Sequence, residues 1–149
     1  FTFSPDGSKM YLINELGSTM MTFSNDAQSG LKLIQTLSTR GFKQVDKNYC
    51  ADVHMGKSGE YIYGSNRGEN SIVVYKIGGD GMLNLAGHSS CGGDWPRNFV
   101  IDPSGKFLLA GNQRSDNISV FRINPKTGVP EGPVDSTMMK GPACLKFLP

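Results

Sequence analysis

The sequence predicts an all-β propeller of four-stranded antiparallel blades, with about three blades present. Three observations predict it. An asparagine closes a short apolar or small-residue run at Asn14, Asn66 and Asn112, spaced 52 and 46 residues apart. Gly7, Gly59 and Gly105 each precede that asparagine by seven residues, and Phe23, Tyr75 and Phe121 each follow it by nine. No segment carries helical periodicity or has room for a crossover helix, which removes a parallel βαβ reading. A repeat of this length with fixed internal landmarks is the mark of a propeller blade.

Each element follows from its local chemistry. Ser4-Pro5-Asp6-Gly7 and Asp102-Pro103-Ser104-Gly105 fit type I turns, with Ser or Asp first, Pro second and Gly fourth. Gly56-Lys57-Ser58-Gly59 is the same turn without its proline. These turns join first strands (Ala51–Met55, Asn98–Ile101) to second strands over Lys9–Asn14, Tyr61–Asn66 and Phe107–Asn112. The second strands are nearly continuous apolar or small residues, as expected for strands covered on both faces by neighbouring blades. Third strands are predicted over Thr19–Phe23, Ser71–Ile77 and Asn117–Ile123. After turns containing Gly30, Gly81 and Gly128 come weaker fourth strands around Leu31–Leu37, Met82–His88 and Val129–Ser136.

The blades divide at about 1–48, 49–94 and 95–140, with 141–149 aligning with the first strand of a further blade. Propellers close with about four to eight blades, and the sequence opens inside a blade without an initiator methionine, so it reads as a fragment of a longer protein. Three blades alone leave two apolar faces uncovered, so the isolated chain is expected to be inactive and prone to aggregate. The first connection between blades is six residues longer than the second, within Thr39–Asn48. It lies on the face of the second-to-third-strand loops, as a lid or specificity loop or as a neutral surface insertion.

Fifteen basic and thirteen acidic residues leave a net charge of +2 with no Lys/Arg run, so no nucleic-acid footprint is indicated. No apolar stretch reaches the length of a membrane span, and no signal peptide is visible. Cys50, Cys91 and Cys144 are odd in number and lack CxxC spacing, which points to free thiols in a reducing, cytoplasmic setting rather than a disulfide framework or zinc site.

Function is expected in the loops after the second strands. The residue following each asparagine is Glu15, Arg67 or Gln113: an acid, a base and an amide at equivalent points around the channel mouth. A solvated loop charge or a blade-to-blade ion pair is the plain alternative for Glu15 and Arg67. The asparagines suit Asx-type bonds to the loop backbone. His54 lies on an innermost strand where other repeats carry Val100 and Lys146, with Asp52 on the same side to orient its ring. Arg97, at the start of another first strand, can meet an anion at the rim, or be a solvated rim arginine. Trp95 is read as packing between blades, and His88, on an outer strand, is given no role. No nucleophile elbow, HExxH, Walker loop or GxGxxG is present. The constellation suits acid–base chemistry on an anionic substrate.

Ser4-Pro5-Asp6-Gly7 with Asn14-Glu15-Leu16, Asp52-Val53-His54, Ser65-Asn66-Arg67-Gly68 and Pro96-Arg97-Asn98-Phe99, in this order, resemble the seven-bladed propeller lactonases. That group includes propeller-type 6-phosphogluconolactonase and the carboxy-muconate cyclases. The resemblance covers essentially the whole chain and implies the last three or so of seven blades. It further implies a lactone-handling site with Glu15, His54 and Arg67 as catalytic residues, no cofactor, no metal, and at least one arginine upstream of Phe1. Arg97, Asn66, Asn14 and Gln113 would bind a small anionic lactone, most simply 6-phosphogluconolactone; Glu15 or His54 would be the base. A cycloisomerase acting on a muconate-type lactone, or a non-catalytic propeller binding module, are the alternatives. The polar character of the loops argues against the binding module.

Overall fold

The computed structural model describes residues 1–148. Three antiparallel sheets of four strands each follow one another along the chain. The first contains β1 (Thr2–Phe3), β2 (Lys9–Asn14), β3 (Thr19–Asp26) and β4 (Gly30–Ser38). The second contains β5 (Tyr49–Met55), β6 (Tyr61–Arg67), β7 (Ser71–Ile77) and β8 (Leu83–Ser90). The third contains β9 (Pro96–Ile101), β10 (Phe107–Asn112), β11 (Asn117–Ile123) and β12 (Pro130–Met138). Within each sheet the strands pair in chain order, so every sheet is a simple meander. These are the blades predicted from the repeat. Residues 141–148 form no strand.

The predicted turns form by the expected chemistry. Gly7, Gly59 and Gly105 donate their N–H groups to Ser4, Gly56 and Asp102 at 2.8–2.9 Å. All three glycines have φ between 72° and 75°, a left-handed conformation that costs a residue bearing Cβ. In the first turn the Ser4 hydroxyl, with the N–H and hydroxyl of Ser8, donates to Asp6 and pulls its carboxyl pKa down to about 2. The second turn keeps its geometry without proline.

Apolar burial lies between the blades. Tyr11 and Met20 of the first blade pack with Val53, Ile62, Val73, Tyr75 and Leu83 of the second. Tyr61, Tyr63, Ile72 and Val74 pack with Phe99, Leu108, Ala110 and Phe121 of the third. Only the middle blade is covered on both faces: every residue of β6, and the first five of β7, are buried. Two of the six residues of β2 and four of the six of β10 are buried and the rest are partly exposed, so continuous burial of second strands holds for the middle blade alone. Phe3, Leu33 and Val134 are exposed on the flanking blades.

Polar locks repeat across these interfaces. Tyr11 Oη donates to the Gly81 carbonyl at 3.0 Å, and its repeat counterpart Tyr63 donates to the Gly128 carbonyl at 2.9 Å. Each lock ties a second strand to the outer turn of the next blade. Nearer the axis, Asp52 Oδ2 on β5 accepts hydrogen bonds from His54 Nε2 (3.0 Å), the Asn98 side-chain amide (2.5 Å) and the Phe99 N–H (3.3 Å). Asn98 Oδ1 in turn accepts the Leu145 N–H at 2.6 Å, so one polar thread links the innermost segments of successive blades. Burial opposes the charge on Asp52, but the His54 bond and charge and the Phe99 and Val53 N–H groups outweigh it, and its pKa is lowered.

A third recurring feature sits on the outermost strands. Register shifts by extra residues at Thr22/Phe23, Val74/Tyr75 and Val120/Arg122, the same place in each blade. Such bulges twist and interrupt an edge strand and blunt its pairing with other chains.

Two outcomes follow from these contacts. Tyr63→Phe keeps the ring but leaves the Gly128 carbonyl without its donor, and is expected to lower unfolding free energy by about 1–3 kcal/mol in urea denaturation. Because the folded pKa of Asp52 lies below its unfolded value, its contribution is fully present above about pH 4 and fades as pH falls through the folded pKa. The stability gap between the parent and Asp52→Asn should therefore be widest near neutrality and close in acid; a gap independent of pH would contradict the assignment.

Candidate active site

The loops after β2, β6 and β10 and the connections into β5 and β9 share one face of the sheet stack. Thr39 begins the longer connection, and its backbone oxygen accepts both the Asn66 side-chain amide (2.8 Å) and His88 Nε2 (3.0 Å). Asn48 ends it, donating to Asn66 Oδ1 at 2.9 Å and accepting the Glu69 N–H at 3.1 Å. Between them, the buried Glu69 carboxylate accepts the N–H groups of Gly41 and Phe42 and pairs with Arg40 at 3.7 Å. The insertion is thus fastened onto the loop beside Arg67, on the predicted face. Gly68 is required there: its φ is 116°, and a Cβ would lie 2.3 Å from the Lys47 carbonyl oxygen.

Glu15 and Arg67 meet. Arg67 Nη2 donates to Glu15 Oε1 at 2.5 Å and to the Cys50 carbonyl at 2.6 Å, while Nε reaches the Tyr49 carbonyl at 3.4 Å. The Glu15 backbone is itself pinned, because its carbonyl accepts the Cys50 N–H at 3.0 Å. The side chain of Arg67 is only 7% exposed and that of Glu15 is 62% exposed, so a buried cation lies under an accessible carboxylate. This is the blade-to-blade ion pair named above as the plain alternative, formed at the channel mouth. Arg67 Nη1 has no hydrogen-bond partner among the described residues.

Beside the pair stands the Trp95 ring, whose arginine contacts were not anticipated. The Trp95 ring lies 5.3 Å from the Arg67 guanidinium carbon, 3.3 Å from that of Arg114 and 6.0 Å from the Tyr49 ring. Trp95 has φ of 68°, a left-handed conformation costing a bulky residue on the order of 1–3 kcal/mol. Its N–H donates to Asn70 Oδ1 at 3.0 Å and its carbonyl accepts the Gln113 N–H at 3.0 Å, which hold it there. As read from the sequence, Trp95 packs between blades, against Tyr49 and Arg67 of the second, and it also carries Arg114. The usable signal was Arg114, one position beyond the residue singled out after Asn112.

His54 does not join this group. Its register partner on β6 is Tyr63, whereas that of Arg67 is Tyr49, five residues earlier on β5 and so about 15 Å away along the strand. His54 does face the inner groove, where Val100 and Lys146 also stand, but near the far end, beside Met55 and Pro103. Asp52 holds the ring as expected, and the ring meets Phe99 edge-on at 4.9 Å.

The other candidates separate by burial. Asn66 is fully buried, and both its amide hydrogens and its oxygen are engaged by Thr39, Asn48, Cys50 and Ser71. Its polar atoms are thus occupied within the scaffold. Asn112 makes the equivalent tie, donating to the Cys91 carbonyl at 2.9 Å. Asn14 shows the Asx-type bond, to the Gly17 N–H at 3.4 Å. Gln113 is half-buried and Arg97 exposed, and neither side chain has a hydrogen-bond or ionic partner among the described residues. The three thiols are free, Cys50 and Cys91 buried and Cys144 exposed; burial pushes Cys91 up to about 11. Among the described residues no group of His, Cys, Asp and Glu is placed to hold a metal ion, and no helix is long and apolar enough to cross a membrane.

Residues 1–147 match the family described as Lactonase, 7-bladed beta-propeller. A 6-phosphogluconolactonase of Formosa agariphila is 41% identical over 131 residues, covering 86% of this chain and 36% of that protein. One of Yersinia pestis is 36% identical, covering 85% and 38%. The chain therefore spans a little over a third of the length of these relatives. Among solved structures, the periplasmic gluconolactonase of Pseudomonas aeruginosa superposes with a TM-score of 0.93 at 29% identity, over 99% of this chain and 41% of that one. A Lactobacillus plantarum protein gives the same TM-score and identity, over 99% and 44%. The repeat, the three blades and these likenesses agree: the chain belongs to the seven-bladed β-propeller lactonase family.

Proposed function

We propose that these blades contribute Glu15 and Arg67 to the active site of a seven-bladed lactone hydrolase, with 6-phosphogluconolactone as the simplest substrate. The observation that carries this reading is the pair itself. An accessible carboxylate is anchored at 2.5 Å by a buried arginine, in a chain whose matched relatives bear that enzyme's name. Metabolically this is carbohydrate chemistry of the pentose phosphate type, and three free thiols suit a cytoplasmic setting.

Glu15 takes a proton from water as the water oxygen bonds to the lactone carbonyl carbon. The tetrahedral intermediate carries an oxyanion that the free Nη1 of Arg67 can meet, a charge-assisted contact formed where charge develops. The ring carbon–oxygen bond then breaks, and the ring oxygen leaves as a hydroxyl with the proton that Glu15 held. Lactone and water become the hydroxy acid, with no cofactor in the balance. The distance between His54 and the pair supports leaving His54 outside the proton transfer, and its Asp52 contact gives it a place in the lacing of inner strands.

Assayed in the seven-bladed protein, Glu15→Gln should lower kcat by about 10²- to 10⁴-fold, the usual scale of a general base. His54→Ala should stay within about threefold once stability is matched. The reverse ranking, with His54→Ala inactive and Glu15→Gln normal, would move the base to the other end of β5.

A further inference from the structure

Besides Arg40, which pairs with Glu69, three arginines stand near this face, and they differ in what their guanidinium groups are doing. Arg67 is largely spent on Glu15 and two backbone carbonyls. Arg97 is exposed and unstacked. Arg114 is exposed, has no carboxylate or carbonyl partner among the described residues, and yet is fixed in place, its guanidinium carbon 3.3 Å from the centre of the Trp95 ring. Stacking occupies the face of a guanidinium and leaves its edge, with its fork of N–H donors, open to an oxyanion.

The mounting is built from both sides. The Arg114 N–H donates to the Asp94 carbonyl at 3.1 Å and the Gln113 N–H to the Trp95 carbonyl at 3.0 Å, so the backbones carrying ring and cation are joined. The Asn70 side chain holds Trp95 N–H and Asp94 Oδ1 and keeps the indole in its left-handed conformation. A strained backbone that presents an aromatic face to an otherwise unpaired cation is a preorganised arrangement. Trp95 is also 5.3 Å from Arg67, so the Glu15–Arg67 pair and Arg114 share one wall.

We propose that Arg114, mounted on Trp95, is a specificity-determining residue that binds a remote oxyanion of the substrate while the lactone carbonyl sits at Glu15 and Arg67. The proposal rests on the lactonase reading for the identity of the substrate. It takes the anion to be a phosphate monoester or a second carboxylate on a sugar lactone, whose paired oxygens match the guanidinium fork.

The test compares 6-phosphogluconolactone, a sugar-diacid lactone and neutral gluconolactone in the seven-bladed protein carrying Arg114→Gln or Arg114→Lys. The preference for the anionic lactone, taken as a ratio of KM values, should fall about 10- to 100-fold in Arg114→Gln, and Arg114→Lys should restore part of it. Loss of preference for only one anionic lactone assigns the anion to phosphate or carboxylate. As a second readout, 6-phosphogluconate should change a fluorescence signal that is absent in Trp95→Phe, and Arg114→Gln should need about 10- to 100-fold more of it. Preference held within about threefold, or an unshifted titration, overturns the role of Arg114 while leaving lactone turnover intact. An Arg114-dependent Trp95 signal without any lactone turnover would keep the anion subsite and overturn the lactonase reading instead.

Discussion

A four-stranded blade cannot bury two apolar faces by itself, and the rest of this structure depends on that constraint. Both apolar clusters lie between sheets, and the blade covered on both sides is the one whose second strand is buried throughout. Burial at about 25 cal/mol per Å² of apolar surface supplies cohesion but no register. Register comes from polar contacts that repeat with the blades, such as Tyr11 to Gly81 and Tyr63 to Gly128 on the outside and Asp52 to Asn98 to Leu145 near the axis. Sliding one blade against the next by a single residue would strand a buried tyrosine hydroxyl or carbonyl, which costs more than the apolar contacts could regain.

That stiffness also fixes where the loops present their side chains. Asn66 and Asn112 spend their side chains fastening the chain that enters each blade to the second strand of the same blade. The residues just beyond them are therefore held at equivalent places and are free to differ. Glu15 and Arg67 come from adjacent blades and meet because the blades hold register; within one blade the same two positions would never face each other.

Much of this was legible in the sequence, and the division between what was and was not has physical causes. The turns at Gly7, Gly59 and Gly105 and the strands behind them are set by local chemistry, so eleven of the twelve strands could be read to within a few residues. Equivalence between repeats places Glu15 and Arg67 at one mouth, and His54, Val100 and Lys146 along one groove. Equivalence alone does not convey depth, which is how His54 came to be grouped with a pair about five residues up its own strand. The role of Trp95 was beyond local reading, because its backbone conformation is imposed by Asn70, 25 residues away in sequence. Asn66 shows the same limit, since its place beside Arg67 is legible but its full burial and saturation with hydrogen bonds are not.

The burial of Arg67 links stability to chemistry at this face. A guanidinium sunk to this depth is costly unless its donors are matched, and removing its counter-charge leaves an uncompensated cation. Two backbone carbonyls satisfy donors but carry no charge, so among the described residues Glu15 is the one formal anion bonded to Arg67. The arrangement is asymmetric: the cation is fixed by the fold, and the carboxylate is held by the cation while still open to solvent. Glu15 therefore needs no packing of its own to stay in position, and it stays open to solvent without any blade unpacking. Placing the buried charge below and the accessible one above lets a rigid sheet stack present a carboxylate at a constant height beside the Trp95 ring.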